Sequence, residues 1–166
     1  MGQVTGELVG QYNEQLRKMK EEEKAGGEER KGELRVIWEP AENMNVHADK
    51  MRIIQVISNL LDNAIKFTSE GDVYVSMKKE AEGDQTSIVV SVKDEGVGMD
   101  AEMLTLLFTK FVSKSEIGTG LGLFICKGIV EAHGGKIWAE NNPDDRGATF
   151  TFTIPVKQYT LNEFGW

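Results

Sequence analysis

Between Lys50 and Phe67 the chain sorts polar from apolar residues at the helical period, and no other stretch constrains the fold as strongly. At about 100° per residue, Arg52, Gln55, Asn59, Asn63 and Lys66 project within a wedge roughly 80° wide, while Ile53, Ile54, Ile57, Leu60, Leu61, Ala64 and Ile65 cover the opposite side. Asp49 stands ahead of the run as an N-cap. A helix with one broad apolar face has to bury it against a second layer.

The rest of the chain supplies that layer. Leu34 to Trp38, Val73 to Lys78, Ser87 to Lys93, Lys136 to Glu140 and Thr149 to Ile154 carry strand patterns, and a turn at Gly83-Asp84 makes a hairpin of the second and third. Val46-His47-Ala48 is expected as a further short strand after a turn over Pro40 to Met44. Val4, Leu8, Tyr12, Leu16 and Met19 form a helical stripe, followed by a solvated loop across the charge-rich run Lys18 to Glu33. A short helix near Ala101 to Leu107 and a longer one from Gly120 to Ala132, closed by Gly134-Gly135, complete the elements. The expected class is α+β, a two-layer sandwich with helices on one face of a mixed, mostly antiparallel sheet. The expected boundaries are one domain over 3–157 and a tail over 158–166.

With 27 acidic against 19 basic residues the net charge is -8, which repels a phosphate backbone and argues against general nucleic-acid binding. A polyanionic ligand then needs local cations and backbone amides. Cys126 is the single cysteine and ends an apolar run, so it reads as a buried free thiol in a reducing, cytoplasmic setting. No stretch approaches the roughly 18 consecutive apolar residues of a membrane span. The start at Met1-Gly2 suggests a domain taken from a longer protein, whose other parts could carry a membrane anchor.

Four patches carry chemistry, in order: Asn59-Leu60-Leu61-Asp62-Asn63-Ala64, Asp94-Glu95-Gly96-Val97-Gly98, Phe108-Thr109-Lys110-Phe111 and Gly118-Thr119-Gly120-Leu121-Gly122-Leu123. Asparagine is a poor helix former, so two of them one turn apart are unusual on a merely solvated face. Asp94 follows a strand, where an ionised carboxylate can only accept hydrogen bonds and therefore selects a ring with an exocyclic amino group, adenine over guanine. Gly96 and Gly98 permit close approach of backbone to such a ring. Gly118 to Gly122 lead into a helix, whose free amides suit an anion. Each patch alone also fits a bland reading: a solvated helix face, an ordinary turn, or close packing. Their order and spacing favour a nucleotide site.

The set resembles the N-box, first glycine box, F-box and second glycine box of the catalytic and ATP-binding domain of sensor histidine kinases, within the wider Bergerat-fold family shared with DNA gyrase, the Hsp90 chaperone and the MutL proteins. The resemblance runs from about Val4 to Pro155. It implies that Asn63 offers its amide oxygen to Mg2+, that Asn59 lies beside the phosphates of ATP or ADP, that Lys66 offsets phosphate charge and that Phe67 flanks the base. It further implies a mobile lid between the glycine boxes, based on Phe108 and Phe111, with Lys110 and Lys114 as its cations and Gly118, Thr119, Gly120, Leu121 and Gly122 around the phosphates. Ser113 stands where the family often has an arginine.

Absences sharpen the expectation. The family's ATPases have a glutamate at the place of Asn59, and an amide cannot serve as general base. Neither His47 nor His133 fits a phosphoacceptor, and His133 matches the structural His-Gly-Gly that ends a helix in the kinases. The resemblance therefore implies the nucleotide half of a histidine kinase, acting on a separate phosphoacceptor hairpin and, through it, a response regulator. A gyrase-type clamp, an anti-sigma serine kinase and a nucleotide sensor without transfer are the alternatives.

Overall fold

The structure, a computed structural model, describes residues 1–26, 33–39, 46–110, 120–143 and 146–156. In chain order the elements are α1 (Gly2–Gly26), β1 (Leu34–Trp38), α2 (Lys50–Phe67), β2 (Gly71–Glu82), β3 (Gln85–Asp94), α3 (Ala101–Leu106), α4 (Gly122–Ala132), β4 (Ile137–Asn141) and β5 (Ala148–Pro155). The strands form one sheet in the order β1-β2-β3-β5-β4. β1 runs parallel to β2, and the other neighbours are antiparallel. The expected mixed, mostly antiparallel sheet with helices is the observed architecture.

Period-two alternation decides which residues enter the core. Val73, Val75 and Met77 of β2 stand opposite Asp94, Val92 and Val90 of β3, and Val92 and Val90 in turn face Phe150 and Phe152 of β5. All of these are buried, as are Ile53, Val56, Ile57, Leu60, Leu61 and Ala64 of α2 and Cys126 and Val130 of α4. Each fully buried aliphatic or aromatic side chain contributes about 1.5–3 kcal/mol. The other face of the sheet carries Ser91 and Thr151, whose hydroxyls pair at 3.0 Å, and Arg35, which holds Asp72 with a bidentate pair at 2.8 and 3.0 Å. One packed face and one polar face is the usual economy of a largely antiparallel sheet.

α2 has the bounds its periodicity predicts, because its cap and its apolar face agree: Asp49 Oδ1 accepts from Arg52 N at 3.1 Å. α1 closes the outer edge of the sheet. The Asn13 amide donates to Val36 O at 2.7 Å and accepts from Val36 N at 2.9 Å, as a neighbouring strand would. Tyr12 fastens α1 to α2 by donating to Asp62 Oδ1 at 2.7 Å.

Three expectations need correction. The segment from Lys18 to Gly26, expected as loop, continues α1. Lys18 to Ala25 contains only Lys, Glu, Met and Ala, all strong helix formers, and exposed pairs such as Arg17 with Glu14 (2.8 Å) and Glu21 (3.2 Å) brace the turn before it. Val46-His47-Ala48 forms no strand. It leads instead into the cap of α2, where Asp49 N donates to His133 Nε2 at 3.1 Å. The last long helix starts at Gly122, two residues later than expected, because Gly120 has φ +66° and cannot join a right-handed turn. The expected turn over Pro40 to Met44 and the tail over 158–166 lie outside the described residues.

Candidate functional site

The inward row of β3 ends on a carboxylate. Ile88, Val90, Val92 and Asp94 share one face, so the register that buries three aliphatic side chains also carries Asp94 into the end of the core, where it is 4% exposed. Burial pushes its carboxyl above the ordinary carboxylate range, and the N–H groups of Gly96 and Ala148 oppose that rise. Both donate to Oδ1, at 2.9 and 3.2 Å. Oδ2 accepts no hydrogen bond from the described residues.

The turn after Asp94 is sterically restricted to glycine. A Cβ on Gly96 would lie 2.4 Å from Phe67 O and 2.9 Å from Asp94 Oδ1. The carboxylate, the end of α2 and the turn therefore meet in one place. Gly147 approaches from the other side, with φ +74° and a would-be Cβ 2.0 Å from Asp94 O. Sequence reasoning missed Gly147 and also Asn142, whose Nδ2 donates to Asp94 O at 2.8 Å and to Arg146 O at 2.6 Å. Asn141 is a third omission: its amide exchanges two hydrogen bonds with the Met99 backbone, at 2.9 and 2.6 Å, and so holds the turn that contains Gly98 (φ +68°). The usable signal was an Asn-Asn pair ending one strand and a glycine opening the next.

α2 sets the second wall. Asn59 and Asn63 are half-buried one turn apart, while Lys66 and Phe67 at the helix end are exposed, with Lys66 Nζ 5.7 Å from the Phe67 ring centre. Thr68 follows, 1% exposed, and its Oγ1 has no partner among the described residues. The third wall is the start of α4. A Cβ on Gly122 would lie 3.7 Å from Asn59 Oδ1, so the first turn of α4 abuts the asparagine stripe of α2. Leu121 and Gly120 precede it at the helix N-terminus, and among the described residues no side chain caps that end. Phe108 packs against the core. Lys110 Nζ lies 4.9 Å from the ring centre of Phe124 on α4, a cation–π contact that draws the loop base toward the same helix. Lys114, Gly118, Thr119 and Phe111 lie outside the described residues.

The structure thus brings Asn59 against Gly122, and Asp94 against Gly96 and the end of α2. His133 stands apart as a structural group: its ring bridges Ile129 O through Nδ1 (2.8 Å) and Asp49 N through Nε2, tying the end of α4 to the cap of α2. Among the described residues no group of three or more His, Cys, Asp or Glu could hold a metal, and no helix is long and apolar enough to cross a membrane.

A buried strand-end carboxylate, an asparagine-bearing helix and the start of a second helix against those asparagines are the parts from which an α+β nucleotide-binding domain can be built. Residues 48–158 match the model of the histidine kinase-, DNA gyrase B- and HSP90-like ATPases. The chain belongs to this family. Sensor histidine kinase WalK of Bacillus subtilis is 38% identical over 125 residues, covering 72% of this chain and 20% of that protein. The adaptive-response sensory kinase SasA of Prochlorococcus marinus is 40% identical over 123 residues, covering 70% of this chain and 31% of that protein. The catalytic domain of histidine kinase ThkA superposes with a TM-score of 0.70 at 32% identity, covering 93% of this chain and 91% of that one. Within the family, then, the chain is the ATP-binding catalytic domain of a sensor histidine kinase of two-component signalling. It spans less than a third of the length of the two curated relatives.

Proposed function

We propose that this domain binds ATP with Mg2+, and ADP after turnover, and positions the γ-phosphoryl group for transfer to a histidine on a separate helical hairpin of the parent kinase. The observation that carries the reading is Asp94. Its Oδ1 is committed to Gly96 N and Ala148 N, so Oδ2 is the atom left to accept the exocyclic amino group of adenine. Guanine presents a carbonyl oxygen at that position and is repelled. Gly96 and Gly98 line the ring's approach, and Phe67, exposed at the end of α2, flanks it.

The phosphates then extend toward α4. Gly120, Leu121 and Gly122 offer backbone N–H groups there, joined by Gly118 and Thr119 of the lid, and the positive end of the helix favours the anion. Lys66, Lys110 and Lys114 supply the cations that a domain of net charge -8 needs locally. The donor set suits a magnesium nucleotide. Magnesium takes few protein ligands and keeps most of its waters, so the neutral oxygen of Asn63 beside the phosphates is adequate, with Asn59 next to it. When bound, the ion neutralises charge on the terminal phosphates. Asn59 has no basic atom with which to activate water, so the bound nucleotide is held for transfer and protected from hydrolysis.

His133 has both ring nitrogens committed to the fold and is no acceptor; the reading takes the acceptor histidine from another segment. The AMPPNP complex of full-length ShkA, similar at 25% identity and a TM-score of 0.70, supports a nucleotide in this fold. The same reading takes 3–157 as the functional domain, 158–166 as a tail, a response regulator as the indirect partner and the cytoplasm as the location. Calorimetry with ATP and GTP tests it: ATP should bind far more tightly. Equal affinities would contradict the role given to Asp94.

A further inference from the structure

The ladder between β2 and β3 ends with Val73 opposite Asp94, and beyond it a side chain carries the pairing on. Glu95 Oε2 accepts from Asp72 N at 3.1 Å. The same side chain lies over Gly71: a Cβ there would come 2.5 Å from Glu95 Oε2 and 3.2 Å from Glu95 Cβ, and the φ of +118° at Gly71 is one that other residues rarely adopt. Only glycine leaves room for the carboxylate. The strand that receives it is itself fixed from β1, because Gly71 N donates to Glu33 O at 3.1 Å and the Asp72 carboxylate is held by Arg35.

The next residue along reaches the other end of the same connector. Gly96 sits against Phe67 O and gives its N–H to Asp94 Oδ1 at 2.9 Å. Four residues, Thr68 to Gly71, separate Phe67 from Asp72, so Glu95 and Gly96 together grip the connector between α2 and β2 at both ends. We propose that Glu95 is a positioning residue for adenine selection: its carboxylate, tethered to Asp72 N, holds the turn where Gly96 N occupies Asp94 Oδ1 and so leaves Oδ2 for the exocyclic amino group. This role rests on the adenine reading above and adds the residue that aims its carboxylate. Glu95 acts through Asp94 and needs no contact with the nucleotide.

Three substitutions separate reach from charge. Glu95→Gln keeps an oxygen at full length, Glu95→Asp keeps the charge one methylene short, and Glu95→Ala removes both. Calorimetry with Mg2+ present compares ATP with purine riboside triphosphate, which lacks only the amino group. Affinity scales with the fraction of protein whose turn is in place, and the tether is one charge-assisted hydrogen bond, so Glu95→Ala and Glu95→Asp should lose up to about tenfold for ATP and far less for the purine analogue. Glu95→Gln should stay within about twofold of the wild type for both. In the free protein the Asp72 backbone amide NMR signal should move with Glu95→Asp and stay with Glu95→Gln, and if Glu95→Ala does not fold, these two variants decide. Equal weakening of both nucleotides, unchanged ATP affinity in Glu95→Asp, or an Asp72 amide that Glu95→Asp leaves unmoved would overturn the proposal. A wild-type domain that binds the two nucleotides equally would overturn the functional reading of Asp94 instead, on which the selection assigned to Glu95 stands.

Discussion

Asp94→Asn should separate stability from function. In the folded chain Asp94 has a raised pKa because burial disfavours its charged form. Between the unfolded and folded values the native state holds the extra proton, so stability falls as pH rises through that window. Above it, the wild type carries an unfavourable buried charge. Asparagine is nearly isosteric, keeps an oxygen to accept from Gly96 N and Ala148 N, and never ionises. The nucleotide-free variant should therefore melt above the wild type at neutral pH, and the gap should close as pH is lowered below the ordinary carboxylate value of 3.8. Binding should move the other way. The adenine amino group loses a charge-assisted bond, about 1.5–3 kcal/mol, and meets an N–H donor in place of Oδ2. ATP affinity should thus fall by roughly 100-fold or more. Thermal melts across pH, with and without ATP, measure both effects. A variant that melts below the wild type at pH 7, a gap independent of pH, or unchanged ATP affinity would refute the reasoning.

Gly96→Ala should destabilise the domain by about 1–3 kcal/mol and weaken ATP binding, since its methyl would strike Phe67 O and Asp94 Oδ1, whereas Gly128→Ala, with nothing within 4 Å, should stabilise α4 by roughly 0.5–1 kcal/mol; urea titration of both variants checks the contrast. Thr68→Val should raise the melting temperature, because it removes an unpartnered hydroxyl from a site 1% exposed while keeping the shape, a gain of about 1 kcal/mol; a lower melting temperature would mean that the hydroxyl is satisfied in solution.

How much of this was legible in the sequence depended on how many signals agreed at each place. α2 was legible to the residue because apolar period and N-cap coincided. β2 and β3 were found but underestimated. Lys79 to Glu82 and Gln85 to Ser87 are largely exposed, and the ladder that pairs them needs no hydrophobic pattern. α1 was cut short because Lys and Glu mark solvated loops and solvated helices alike. At the site, Asp94 and Gly96 were legible from strand-to-turn chemistry. Asn142 and Gly147 were not, since their partner is far away in sequence: both meet the Asp94 backbone. Contacts of that kind exist only after the sheet has closed.

The central claim is transfer of the γ-phosphoryl group to histidine on another segment. Its most direct measurement is incubation of the domain with γ-labelled ATP and Mg2+, with and without the phosphoacceptor hairpin of the parent kinase. The domain alone should remain unlabelled, and adding the hairpin should give an acid-labile, base-stable adduct on the hairpin. Transfer should be weak at low concentration, since separate molecules lack the effective concentration that a covalent linker provides, and it should fail with Asn63→Ala. Label on His47 or His133, on serine of the partner, or rapid release of free phosphate by the domain alone would contradict the account.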